Sequence, residues 1–201
     1  MKILKLKCKG KSPILMDRMS DEILQSLLDG VRIKVPKDVP AEEVARKKIY
    51  RENGDTSKIG LPSTMLFSCL VEAGRNVKNG TSKIFTVKTI TLPDFLFIQE
   101  LFLPFTNIKG KEDGSWKVDK RLGKLWNKGT SVAVCLVRPC FDKWEFTVTI
   151  GYDESKIDES TLKALFEKAS SSQGLGSFRP NCKGPFGRFK VVSWKEILKK
   201  K

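Results

Sequence analysis

Glycines, aromatic rings and cations crowd one stretch near the C-terminal end. Gln173-Gly174-Leu175-Gly176-Ser177-Phe178-Arg179-Pro180 leads into Lys183-Gly184-Pro185-Phe186-Gly187-Arg188-Phe189-Lys190-Val191. Glycine permits positive φ and close approach of a second backbone. Exposed amides bracketed by Arg179, Lys183 and Arg188 make a phosphate-contacting surface, with Phe178 and Phe186 placed to stack on bases. The same residues also fit a tight helix-to-strand turn with Arg188 at its edge, and pattern alone leaves both readings open. A dinucleotide fingerprint needs a strand before it and a helix after it. Here a helix precedes and a strand follows, and the segment does not end in the Gly-Lys-Ser/Thr of a P-loop.

Few residues are suited to catalysis. Histidine is absent from the 201 residues, which excludes Ser-His-Asp and Cys-His mechanisms and removes the commonest metal ligand. The only tyrosines are Tyr50 and Tyr152, in no recognisable constellation. Asp153-Glu154 and Asp158-Glu159 read as loop and helix-cap residues rather than metal ligands. Cys8, Cys69, Cys135, Cys140 and Cys182 are scattered, odd in number and without a CxxC. They read as reduced, mostly buried thiols. No catalytic residue, metal or cofactor is expected.

Charge supplies the strongest functional signal. Lysine plus arginine is 38 against 23 acids, a formal net charge of +15, and such a surface attracts polyanions. The surplus lies at both chain ends. Residues 1–18 carry Lys2, Lys5, Lys7, Lys9, Lys11 and Arg18 against Asp17, and residues 174–201 are similarly biased, with Glu196 as their one acid. The terminal Lys199–Lys201 run alone reads as a solvated tail. No uncharged apolar run approaches the ~18 residues of a membrane span, and no signal peptide is evident, so a soluble, cytoplasmic protein is expected.

The elements that must position these groups follow from periodicity. Ile3 to Lys9 alternates, with Leu4, Leu6 and Cys8 on one face and Lys5, Lys7 and Lys9 on the other: a half-buried strand with a cationic open face. Ser20 caps a short helix bearing Ile23, Leu24, Leu27 and Leu28, stopped by Gly30. Residues 31–40 read as a linker. A surface helix over Ala41–Arg51 follows, with Glu42–Arg46 and Glu43–Lys47 pairs. Leu66, Cys69, Leu70 and Ala73 form the stripe of a core helix opened by Pro62 and Ser63. Ile84–Leu92 reads as a strand, 93–130 as a loop holding Trp116 and Trp126 among lysines, and Ser131–Val137 as an apolar strand. Trp144, Phe146, Val148 and Ile150 share a face of another. Asp158 caps a helix whose core stripe is Leu162, Leu165, Phe166 and Ala169, and a strand through Phe189 and Val191 closes the chain. The strong elements run βαββαβ, the order of an α+β, ferredoxin-like (RRM-like) fold.

The Gly174-Leu175-Gly176 turn after a helix, and the Gly184-Pro185-Phe186-Gly187-Arg188-Phe189 tail closing a final strand, resemble the C-terminal glycine-rich loop of the RAMP superfamily. Those are RNA-binding proteins of CRISPR effector complexes, built on modified ferredoxin-like folds. Lys11-Ser12-Pro13-Ile14-Leu15-Met16 resembles the segment leading into that family's first insertion. Leu61-Pro62-Ser63-Thr64-Met65-Leu66 followed by Ala73-Gly74-Arg75 resembles its passage from strand to helix. Arg138-Pro139-Cys140-Phe141 with Trp144 resembles a motif of small stand-alone phage and prophage members. In the family, backbone subunits coat guide RNA head to tail, and processing subunits cleave it, often with a histidine that this chain lacks.

Residues and resemblance together give a single RAMP-like domain over 1–201, with insertions at about 17–60 and 93–130, and no enzymatic activity. It is expected to grip the sugar–phosphate backbone of single-stranded RNA. The expected contacts are Lys5, Lys7, Lys9, Arg138, Arg179, Lys183, Arg188 and Lys190, with Gly174, Gly176, Gly184 and Gly187 and the rings of Phe178 and Phe186. Trp116 or Trp126 stacking is a further expectation, with buried packing as its rival. Expected protein partners are further copies, head to tail, or CRISPR-type subunits. Three rival readings stay open: a metal-independent endoribonuclease, a phage-encoded mimic of a CRISPR subunit, and a protein that sequesters a small phosphorylated nucleotide.

Overall fold

A computed structural model describes residues 1–31, 39–54, 58–86, 88–108, 115–127 and 129–197. Most of the expected linker, Gly110 and Gly114 of the expected loop, Lys128, and the Lys199–Lys201 tail lie outside the described residues, as does the side chain of Trp126. The elements are β1 (Lys2–Gly10), β2 (Ile14–Leu15), α1 (Asp21–Leu28), α2 (Ala41–Arg46), β3 (Gly60–Pro62), α3 (Ser63–Ala73), β4 (Lys78–Asn79), β5 (Ser82–Lys83), β6 (Leu96–Ile98), β7 (Phe102–Pro104), β8 (Lys117–Asn127), β9 (Thr130–Phe141), β10 (Glu145–Tyr152), α4 (Glu159–Lys168) and β11 (Phe189–Glu196).

Four strands form the central antiparallel sheet, in the order β11-β1-β10-β6. The chain runs β1, α3, β6, β10, α4, β11. Each crossover therefore spans a strand from the other half: β10 lies between β1 and β6, and β1 lies between β10 and β11. Two interleaved split βαβ units make the α+β, ferredoxin-like arrangement.

Alternation fixes which face is buried. Leu4, Leu6 and Cys8 of β1 and Phe146, Val148 and Ile150 of β10 are at most 3% exposed. They meet Leu66, Cys69, Leu70 and Ala73 of α3, and Leu162, Leu165 and Phe166 of α4, in one core. Fully burying each large aliphatic or aromatic side chain contributes roughly 1.5–3 kcal/mol. Asp158 caps α4 through the Thr161 amide at 2.8 Å. Among the described residues no helix is long and apolar enough to cross a membrane.

Three local expectations are corrected. The strand expected at Ile84–Leu92 is not in the central sheet. Ile84 is buried but Ile90 is 50% exposed, so the segment has no uniform core face, and β6 takes the place beside β10. The stretch 93–130 is not a loop, since it holds β6, β7 and most of the β8–β9 hairpin. Ser131–Val137 lies in that hairpin rather than in the core sheet, with Val132 56% exposed. The two short helices form where expected but differ in extent or burial. α1 buries none of its side chains, and α2 ends at Arg46, with Glu42–Arg46 and Glu43–Lys47 pairs at 3.3 and 3.8 Å.

Candidate nucleic-acid interface

The sheet face turned away from α3 and α4 collects cations from both chain ends. On β1 the residues between the buried ones are Lys5, Lys7 and Lys9, all exposed. β11 runs antiparallel beside it. Lys195 is the Cα partner of Lys5, Ser193 of Lys7 and Lys190 of Lys9, with a bulge between the Lys7 and Cys8 pairings. Directly paired residues share a face, so Lys190 and Lys195 join the three lysines of β1.

One acid faces this group directly. Glu145, opposite Lys9 on β10, binds the Lys7 ammonium at 3.1 Å. Burial works to raise the Glu145 pKa, but the Lys7 and Thr106 hydrogen bonds and the charges of Lys7 and Lys9 outweigh it and hold it below the usual glutamate value. Lys5, Lys190 and Lys195 form no ion pair among the described residues, and Lys9 forms none either, although it lies opposite Glu145 and its charge is felt there. Glu100, near the same sheet edge, is turned onto the Thr149 amide at 2.8 and 3.0 Å.

The open face also carries an aromatic ring that the sequence reading did not single out. Phe97 of β6 pairs with Gly151, which pairs with Ile3, two residues before Lys5. A Cβ on Gly151 would overlap the Phe97 ring, so the ring lies across that glycine, and Phe97 is 41% exposed. Neither Phe97 nor Lys195 stands in a motif. Their placement follows from strand register, which the sequence signals only through the alternation of β10.

The glycine-rich segment is built differently from expectation. Gly174, Gly176, Gly184 and Gly187 are all buried. Gly176 and Gly187 have φ of +76° and +73°, and a Cβ would strike the carbonyl oxygens of Leu15 and Leu175, respectively. The loop amides are already bonded: Leu175 to the Gly187 carbonyl, Ser177 to Leu15, Gly184 to Arg179, Gly187 to Pro13, and Arg188 to the Ser12 hydroxyl. The glycines thus let the loop pack, chain on chain, against residues 12–15. The expected cradle of free amides is not formed.

The side chains around the loop divide between inward and outward roles. Phe186 is 7% exposed, clustered with Leu15 and Cys140, and offers no free face to a base. Phe178, with φ of +47°, is at the surface. Arg121 of β8 lies 4.7 Å from the Phe186 ring centroid and 5.7 Å from that of Phe178. Arg179 donates to the Gly176 carbonyl at 2.9 Å and is half-buried. Arg138 is held by Asp17 at 2.6 Å with its side chain 12% exposed, and Lys48 shares that acid. Both arginines therefore brace the fold. Lys183 and Arg188 remain exposed. Trp116 is half-buried, with the Arg46 guanidinium 5.8 Å from its ring centroid.

No constellation for bond breaking is assembled by the described residues. Tyr152 is fully buried and Tyr50 half-buried. Asp153 bonds the Ser155 hydroxyl and amide, and Asp158 is the α4 cap. Among the described residues, no group of three or more His, Cys, Asp or Glu side chains is placed to hold a metal ion.

No family model matches this chain, and no curated protein matches it. Among solved structures, 98% of the chain is similar to 61% of a chain in a cryo-EM structure of the Type III-B Cmr-beta bound to cognate target RNA. The identity is 11% and the TM-score 0.49, and the chain spans about three-fifths of that protein's length.

Proposed function

We propose that the chain is a non-catalytic, RAMP-type RNA-binding protein that holds single-stranded RNA by its sugar–phosphate backbone across the open sheet face. The observation that carries this reading is the set of four ammonium groups, Lys5, Lys9, Lys190 and Lys195, on two adjacent strands, none of which forms an ion pair among the described residues. Phosphate contacts of this kind fix position without reading sequence. The Phe97 ring on the same face supports a single-stranded ligand, because only an unpaired base offers its π-face for stacking.

Assembly of further copies along the RNA belongs to the same proposal. Ile23, Leu24, Leu27 and Leu28 of α1 are exposed beside Asp21 and Glu22. Asp21 and Glu22 are already paired with Arg18 and Lys47, so it is the exposed apolar face of α1 that offers contact area to a neighbouring copy.

Fluorescence anisotropy with a labelled oligouridylate tests the interface. Changing Lys5, Lys9 and Lys190 together to serine should weaken binding about tenfold or more. The same charge change at Lys78, Lys83 and Lys88, outside the central sheet, should have a small effect. Equal losses in the two triple variants would reduce the interface to bulk charge and defeat the proposal.

A further inference from the structure

A second basic site lies apart from the open face, where α4 meets the edge strand β11. It is a cleft of about 630 Å³, within the size range of small-molecule sites. Its apolar wall is Val191 and Trp194, backed by the fully buried Phe166, and its cations are Lys11, Lys163 and Lys168, with Lys190 at the rim, against the single acid Glu167. Lys163 is engaged by Glu159 at 2.8 Å. Lys11, Lys168 and Lys190 have no acidic partner among the described residues. Asn76 lines the same cleft and brings a carboxamide able to donate and accept.

We propose that this cleft binds a nucleoside phosphate. The ammonium groups of Lys11 and Lys168 take the phosphate oxygens by charge-assisted hydrogen bonds. The half-buried Trp194 ring, which meets Phe166 edge-on at 5.4 Å and has the Lys163 ammonium 5.9 Å from its centroid, gives the base an aromatic wall shared with that cation, and Asn76 meets its polar edge. Phosphate charge and an aromatic base are wanted together, because the lining sets unpaired cations beside an indole. The same chemistry arrives from two sources, a free nucleotide or the phosphorylated end of an RNA strand. Lys190 stands on the edge strand between them, its backbone at the cleft rim and its side chain on the open face, so a strand end held there lies next to the cleft.

Calorimetric titration separates these sources, using adenosine 5′-diphosphate and an oligouridylate carrying either a 5′ phosphate or a 5′ hydroxyl. The proposal expects saturable diphosphate binding, or tighter binding of the phosphorylated strand than of its hydroxyl counterpart. In either case Lys11→Ala with Lys168→Ala should remove about tenfold or more of the effect. Free-nucleotide binding that survives Lys5→Ser with Lys9→Ser places the ligand in the cleft whether or not the sheet face binds RNA. If the double alanine variant melts early, the exposed Lys11→Glu alone serves the same comparison. No saturable diphosphate binding together with no preference for the phosphorylated strand would overturn the proposal, as would binding indifferent to these lysines.

Discussion

Lys5 and Lys195 face each other as Cα partners across the β1–β11 ladder, both exposed and neither with a carboxylate partner among the described residues. Lys9 and Lys190 repeat the lysine pairing two pleat repeats along β1. Like charges directly opposite in an antiparallel pair are destabilising. The sheet edge thus carries a repulsion that a polyanion would relieve. Lys195→Ser should stabilise the free protein by about 0.5 kcal/mol while weakening its hold on oligouridylate. Denaturant melts and anisotropy on the same preparation check the opposed signs. A variant that loses both stability and binding would show that Lys195 has a structural role.

The glycine loop is predicted to be a matter of folding. Gly187→Ala places a Cβ at φ +73° against the Leu175 carbonyl, which should cost about 2–4 kcal/mol. RNA affinity of the folded fraction should be nearly unchanged, because the loop amides are bonded within the protein. Urea titration gives the first quantity, and binding below the unfolding transition gives the second.

Glu145 offers a pH test. Its folded pKa is depressed, so the stability it contributes is present above its unfolded pKa and is lost as pH falls through the folded value. The difference in melting temperature between the native chain and Glu145→Gln should therefore shrink below about pH 4. At neutral pH, Glu145→Gln frees Lys7 and should tighten oligouridylate binding about two- to fivefold. Weaker binding would mean that the acid positions Lys7 for its ligand.

Thiol chemistry reports on the core independently. Burial pushes the Cys8 and Cys69 thiols up to about 12 and Cys140 to about 11, whereas Cys135 and Cys182 are exposed. A disulfide reagent at neutral pH should modify Cys135 and Cys182 quickly, and the other three only on unfolding. Rapid reaction of Cys8 would contradict the placement of β1 in the core.

The central architecture was legible because its elements obey simple periods. Lys5, Lys7 and Lys9 alternate with Leu4, Leu6 and Cys8, and the α3 and α4 stripes fall at i, i+3, i+4 and i+7. Of the β8–β9 hairpin only Ser131–Val137, within β9, read as a strand, and β8 left no such trace. The hairpin arm is exposed on both sides at Leu122 and Val132, so no face had to be apolar. The three-residue β6 is too short to show a period, and with it Phe97 went unnoticed. The glycine-rich segment misled for a related reason. Glycine reports that something approaches closely, and here that something is the backbone of Leu15 and Leu175 rather than a phosphate. Arg138 and Arg179 looked available because the acid and carbonyl that hold them are distant in sequence or hidden in the turn.

The salt dependence of oligouridylate binding tests the central claim most directly. Four ammonium groups on the open face that form no ion pair among the described residues should give a plot of log K against log salt with a slope of about −3 for a single strand, falling to about −1 when Lys5, Lys9 and Lys190 are serine. A flat response in the native chain, or a slope that the triple substitution leaves unchanged, would contradict a polyanion held across β1 and β11.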